Sequence, residues 1–129
     1  MSRFKVINAL LCDHASVSSG NKHTLVNVYS GDLLLGEIPA NIMLSAYLEL
    51  LSPISGTMDL KVSYKLNSKP IAAINAHAEG LVKGALGVLL LPPIPMPISS
   101  TGILTLEIEA PGSPKSIVIK KNVMVGPQA

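Results

Sequence analysis

Thr57-Met58-Asp59-Leu60-Lys61-Val62-Ser63-Tyr64-Lys65-Leu66 is the stretch that decides the fold. Met58, Leu60, Val62, Tyr64 and Leu66 occupy every second position, and Asp59, Lys61, Ser63 and Lys65 fill the gaps. Successive side chains of a pleated strand point to opposite faces, so a period of two is a strand signature. One apolar face and one charged face belong to an antiparallel sheet solvated on one side. Asn67-Ser68 follows as a short turn, and Ile71 to Ala78 reads as the returning strand. Its Ala72, Ala73, Ala76 and Ala78 are small enough to permit close contact between two sheets.

The same alternation recurs on both sides of this hairpin. In Asn41 to Leu51, the set Ile42, Leu44, Ala46, Leu48 and Leu50 faces one way and Met43, Ser45, Tyr47, Glu49 and Leu51 the other, between Pro39 and Pro53. Further upstream, Phe4 to Asp13 and His23 to Gly31 are dense in apolar residues on both faces, which predicts central strands. Ala15 to Lys22 reads as the polar loop between them, and Leu33 to Pro39 as a connector. Downstream, Glu79-Gly80 turns the chain into Leu81 to Leu91, where Gly84 and Gly87 suggest a bulge. Ile103 to Ala110 alternates with Leu104, Leu106, Ile108 and Ala110 inward. Lys115 to Val125 closes the series, with Ile117 and Ile119 on one face and Val118 and Lys120 on the other.

Leu91-Pro92-Pro93-Ile94-Pro95-Met96-Pro97-Ile98 breaks the pattern. Four prolines fix φ and remove amide donors, so a helix or a central strand is excluded. An extended, polyproline-like connection from one sheet to the other is the expectation. The sum is an all-β chain: an antiparallel β-sandwich of about eight strands, with the crossing segment pointing to a Greek key.

Length and the lack of any composition break indicate a single domain over residues 1–129. Aromatics amount to three Tyr and one Phe, so the core must be aliphatic. The same scarcity leaves little to stack bases on, and the lysines are spread along the chain, so nucleic-acid binding is disfavoured. Cys12 is the single cysteine and cannot form an intramolecular disulfide, which fits a reducing compartment. The N-terminal apolar stretch contains Asn8 and lacks a small-residue cleavage site, so it reads as a strand of a cytoplasmic protein. The run from Leu86 to Ile98 is too short and too proline-broken to span a bilayer.

The opening hairpin, with Leu11-Cys12-Asp13, Gly20-Asn21-Lys22-His23 and Thr24-Leu25-Val26-Asn27-Val28-Tyr29, resembles a family of small uncharacterised bacterial and phage domains. A Pro-rich segment before Gly102-Ile103-Leu104-Thr105-Leu106-Glu107-Ile108 extends the resemblance. Two features depart from it: Asn27 stands where the family pattern has glycine, and Leu86 to Ile98 is more apolar. The resemblance implies an immunoglobulin/C2-like sandwich and carries no activity.

Candidate chemistry is sparse. Asp13, His14 and His23 flank the first loop and have the donor types of a metal site, but their spacing matches no known motif and neighbouring strand residues point to opposite faces, so solvated histidines at a loop mouth are the favoured reading. Cys12 with His14 has the elements of an activated thiol, but a free cysteine in an apolar strand is more often buried core. His77 reads as a paired or exposed residue. Gly80 to Gly84 lacks the spacing of a phosphate loop. Leu89, Leu90, Leu91, Pro92, Pro93, Ile94, Pro95 and Met96 form the leading candidate interaction segment; the alternative is that they cover the end of the core. The resulting expectation is a non-enzymatic module, without cofactor or metal, that binds another protein or self-associates as a homo-oligomer. The alternative is a small-ligand-binding or sequestering protein, such as a phage-encoded inhibitor of a host system. No membrane partner is expected.

Overall fold

The computed structural model describes residues 4–18 and 22–126. Among them lie nine strands and no helix: β1 (Lys5–Ser18), β2 (Lys22–Val28), β3 (Leu33–Leu35), β4 (Ala40–Leu51), β5 (Gly56–Leu66), β6 (Lys69–Leu81), β7 (Leu86–Ile98), β8 (Gly102–Glu109) and β9 (Ser116–Val125). Sheet A has the order β2-β1-β4-β7, and sheet B the order β3-β9-β8-β5-β6. Sheet B curls into a half-barrel. Only the hairpins β1-β2, β5-β6 and β8-β9 stay within one sheet; every other connection crosses between the two.

The alternation read from the sequence places the core. Met58, Leu60, Val62, Tyr64 and Leu66 of β5 are all buried, as are Leu44, Ala46, Leu48 and Leu50 of β4 and Leu104, Leu106 and Ile108 of β8. Each fully buried leucine or isoleucine contributes on the order of 1.5–3 kcal/mol. Tyr64 is the one aromatic among the largest fully buried side chains. Ala76 and Ala78 are buried where β6 packs against β7 across the gap between the sheets. Gly87 serves the same close approach, since a Cβ there would fall 2.9 Å from Leu81 Cδ2.

Five local expectations are corrected. Ala15 to Ser18 and Lys22 are strand rather than loop, paired in register from Ser18↔Lys22 to Ala15↔Leu25; the loop tip, 19–21, lies outside the described residues. β1 is interior as expected, but β2 is the edge of sheet A and exposes Val26 and Val28. Leu33 to Leu35 is not a connector: it forms β3, pairing with β9 in the one parallel ladder of the described residues, and buries Leu33 and Leu35. A three-residue strand is too short to show a period. Val82 to Ala85 breaks the run expected from Leu81 to Leu91 as a turn, closed by Ala85 N–H on the Val82 carbonyl. In β9, Leu106↔Ile119 and Glu107↔Ile117 leave Val118 as an extra residue, so this bulge buries Ile119 and exposes Ile117.

The proline-rich segment is also corrected. It is no inter-sheet connection but the C-terminal half of β7, the other edge of sheet A. Pro93, Pro95 and Pro97 recur at alternate positions, so their ring nitrogens share one side of the strand, the side without a partner. No ladder bond to β4 is then lost, which is how an edge strand tolerates proline. Leu44↔Ile94 and Ala46↔Leu91 set Pro92 and Pro93 together opposite Ser45, forming a bulge that absorbs the Pro-Pro step.

One further bulge positions the site described next. Lys65 pairs with Pro70 but Tyr64 with Ala72, leaving Ile71 as an extra residue. A one-residue shift moves every later side chain to the other face. Ile71 therefore turns Ala76 and Ala78 inward and sets Asn75 and His77 on the solvent face of β6, opposite Lys61 and Asp59.

Candidate functional site

The outer face of sheet B holds a groove of ≈ 600 Å³ lined by Asp59 and Lys61 of β5, Asn75 and His77 of β6, Glu109 of β8 and the turn Ala110 to Ser113. Its floor is a grid fixed by register. Lys61 stands between Glu109 and Asn75, and Asp59 stands beside His77 in the next row. The turn forms one wall, closed by Ser113 N–H on the Ala110 carbonyl and permitted by Gly112 at φ 73°.

His77 Nδ1 hydrogen-bonds with Asp59 Oδ1, and both side chains are open to solvent, 63% and 75% exposed. A carboxylate on one ring nitrogen sets the orientation of the imidazole and leaves the other nitrogen available. In the tautomer that donates Nδ1–H to Asp59, Nε2 is an acceptor. Ser113 lines the same groove, but no hydrogen bond joins it to His77 among the described residues, so no activated hydroxyl is assembled. Farther along the same face, Lys65 Nζ stands 2.7 Å from Glu107 Oε2, a half-buried ion pair that closes this end of the charged surface.

Sequence reasoning placed Asp59, Lys61 and Lys65 on a solvated face and read His77 as paired or exposed, and both readings match. It did not bring His77 together with Asp59, Lys61 and Glu109. A two-residue turn at Asn67-Ser68 suggests a register for β5 and β6, but the Ile71 bulge shifts that register and has no signature in the residues themselves.

The residues singled out at the first hairpin go elsewhere. Asp13 accepts hydrogen bonds from Asn27 Nδ2 and Tyr29 Oη, both 2.8 Å. Burial, and then the bond to Asp13, push the Tyr29 hydroxyl up to about 12. His14 is exposed opposite Val26. His23 is half-buried, its ring 5.5 Å from that of Tyr47 at 63°. No group of three metal-ligating side chains exists among the described residues, so Asp13, His14 and His23 do not converge.

That ring contact reveals the shape of the arm. β1 pairs with β4 only as far as Cys12↔Ser45, and from Cys12 to Ser18 it pairs with β2. His23 is opposite Val17 and Tyr47 opposite Leu10, which on a straight β1 lie ~23 Å apart. The hairpin must therefore curl back toward the face that carries Tyr47. Asn27, at φ 52°, is the one left-handed residue among the described residues of the arm and lies beside Asp13, where pairing with β4 has just ended. Glycine adopts this left-handed conformation at no steric cost, and asparagine tolerates it better than most residues. Cys12 and Ser45 are fully buried at the base of the arm. Burial pushes the Cys12 thiol up, the Asp13 charge adds to this, and the backbone N–H of His14 partly opposes it. Such a thiol is a poor nucleophile.

In the proposed interaction segment, Leu89, Leu91 and Met96 are buried, Leu90 and Ile94 half-buried, and Pro92, Pro93 and Pro95 exposed. Its apolar side chains belong largely to the core, while its prolines face water. No protein-family model matches this chain, and comparison with curated proteins finds no match. No helix of the described residues is long and apolar enough to cross a membrane.

Proposed function

We propose that this protein is a non-catalytic binding domain, built as an immunoglobulin/C2-like Greek-key sandwich, that engages its partner in the groove on the outer face of sheet B. The observation that carries this reading is the convergence of six polar side chains, five from three adjacent strands and Ser113 from one turn, on a ≈ 600 Å³ concavity. That volume suits a small molecule or a single side chain of a partner protein. The groove holds acids, a base and an amide but no activated nucleophile, which favours binding over turnover. An amide-resolved NMR titration with a library of small polar compounds and short peptides tests it. Shifts should gather on Asp59 to Lys61, Asn75 to His77 and Ala110 to Ser113. Shifts that gather elsewhere, or none at all, would remove the groove as the binding site.

Self-association is the second reading, favoured by an asymmetry of sheet A. The β7 edge carries proline at alternate positions, whereas the β2 edge, Lys22–Val28, carries none. An edge strand without prolines is a template for pairing with another chain. Light scattering after size exclusion should then show a dimer that Val26→Pro abolishes. A monomer at high concentration would refute this reading.

A further inference from the structure

We infer that the groove on sheet B takes a donor-rich cation, an alkylammonium or guanidinium group; this rests on the groove being the binding site. The argument is an inventory of hydrogen-bonding capacity. In the tautomer that gives Nδ1–H to Asp59, His77 presents the lone pair of Nε2 to the groove. Asp59 keeps a second carboxylate oxygen, and Glu109 offers two more. Asn75 contributes one acceptor and one donor group. Lys61 is the one cationic side chain in the lining, set against the two carboxylates. Acceptors outnumber donors, and two carboxylates stand against one ammonium. Asp59 and Glu109 occupy diagonal positions on neighbouring strands, which are separated by ~7–8 Å. A cationic head between them can donate to both carboxylates and to Nε2.

The same chemistry is available from a free amine or from a basic side chain of a partner protein. Isothermal titration and amide NMR with putrescine, arginine amide and the peptide Gly-Ser-Arg-Ser-Gly separate these sources, with inorganic phosphate as the probe of opposite sign. The expectation is binding of at least one cation and not of phosphate. Glu109→Gln and His77→Ala should weaken it by about two- to fivefold, the span of an exposed charge interaction, and Lys61→Ala should strengthen it by a similar factor. All three residues lie on the solvated side of the sheet, and circular dichroism confirms that each variant is folded. Phosphate binding in the groove that is lost in Lys61→Ala would overturn the cation assignment and leave the groove standing. No response at the groove to any of the four probes would overturn the cation assignment too, and the wider library titration would then decide the fate of the groove itself.

Discussion

A Cβ on Gly102 would stand 1.9 Å from Oδ1 of Asn67. Asn67 belongs to the β5-β6 turn, at φ 51°, and Gly102 opens β8 at φ 142°. The asparagine amide donates to the Thr101 carbonyl at 3.0 Å and to Ser100 Oγ at 3.2 Å, and its Oδ1 accepts from Ile103 N–H at 2.9 Å. One side chain thus ties the turn of a sheet B hairpin to the β7-β8 connection that returns the chain from sheet A. Gly102→Ala should lower stability by about 2–4 kcal/mol, combining left-handed strain with the loss of this clasp. Asn67→Gly keeps the backbone permissive while deleting the bonds, and should cost about half as much. Urea unfolding of both variants checks the order; equal stability of Gly102→Ala and the native chain would refute the clasp.

Tyr64 presents the opposite case, a polar atom with nothing to bond. Its ring fills the centre of the core, and its hydroxyl has no partner among the described residues. Burial pushes that hydroxyl far above its ordinary value, and the Cys12 thiol adds to the effect. An orphaned buried hydroxyl costs on the order of 1–3 kcal/mol. Tyr64→Phe removes it without changing the ring, and should therefore raise the urea midpoint. A lower midpoint would mean that the hydroxyl is satisfied after all.

Alkaline stability follows from the tyrosines with the sign worked out. Tyr29 ionises near 10 when unfolded but is pushed up to about 12 in the fold, by burial first and by Asp13 second. Its folded value is raised, so its contribution is complete below pH 10 and is lost as pH climbs through 12. Tyr64 acts in the same direction. Stability should fall across this window, and Tyr29→Phe should flatten the fall. Thermal melts at stepped pH read the slope directly.

How much of this was legible in the residues depends on where the period of two survives. In β4, β5 and β8 the alternation runs unbroken, and every inward residue expected there, apart from half-buried Ile42, is buried. It fails wherever a bulge adds a residue. Val118 inverts Ile117, Ile71 inverts His77, and the Pro92-Pro93 step lets a proline run lie in a ladder. A bulge is a property of the pair of strands, not of either sequence alone, so the groove could not be assembled from spacing. β3 was missed for a different reason: three residues carry no period, and its parallel partner is about ninety positions away.

Curling of the β1-β2 arm makes Cys12 a reporter. The thiol is fully buried at the base of the arm, and the contact between His23 and Tyr47 holds the arm down. Aromatic edge contacts of this kind contribute about 0.5–1.5 kcal/mol. Tyr47→Ala should therefore raise the rate of Cys12 modification by a thiol reagent at neutral pH, by about two- to tenfold, with global stability changed much less. His23→Ala should do the same to a similar degree. A rate that tracks only the global unfolding constant would show that the arm does not open on its own.

The two edges of sheet A predict different outcomes when they are edited. On β7 the prolines at 95 and 97 pair with Met43 and Asn41 while facing water, so their role at this position is to withhold donors from the free side. Pro95→Thr together with Pro97→Thr restores two N–H groups there without touching the core residues Met96 and Ile98. The folded domain should keep its thermal midpoint to within about 1 kcal/mol of stability. Its edge becomes a flat, donor-bearing strand, however, and such edges recruit other chains. Light scattering at high concentration should rise with time for the double variant and stay level for the native chain. If both remained level, the free edge of β7 would have to be shielded by something other than its prolines, and the contrast drawn with β2 would fall with it.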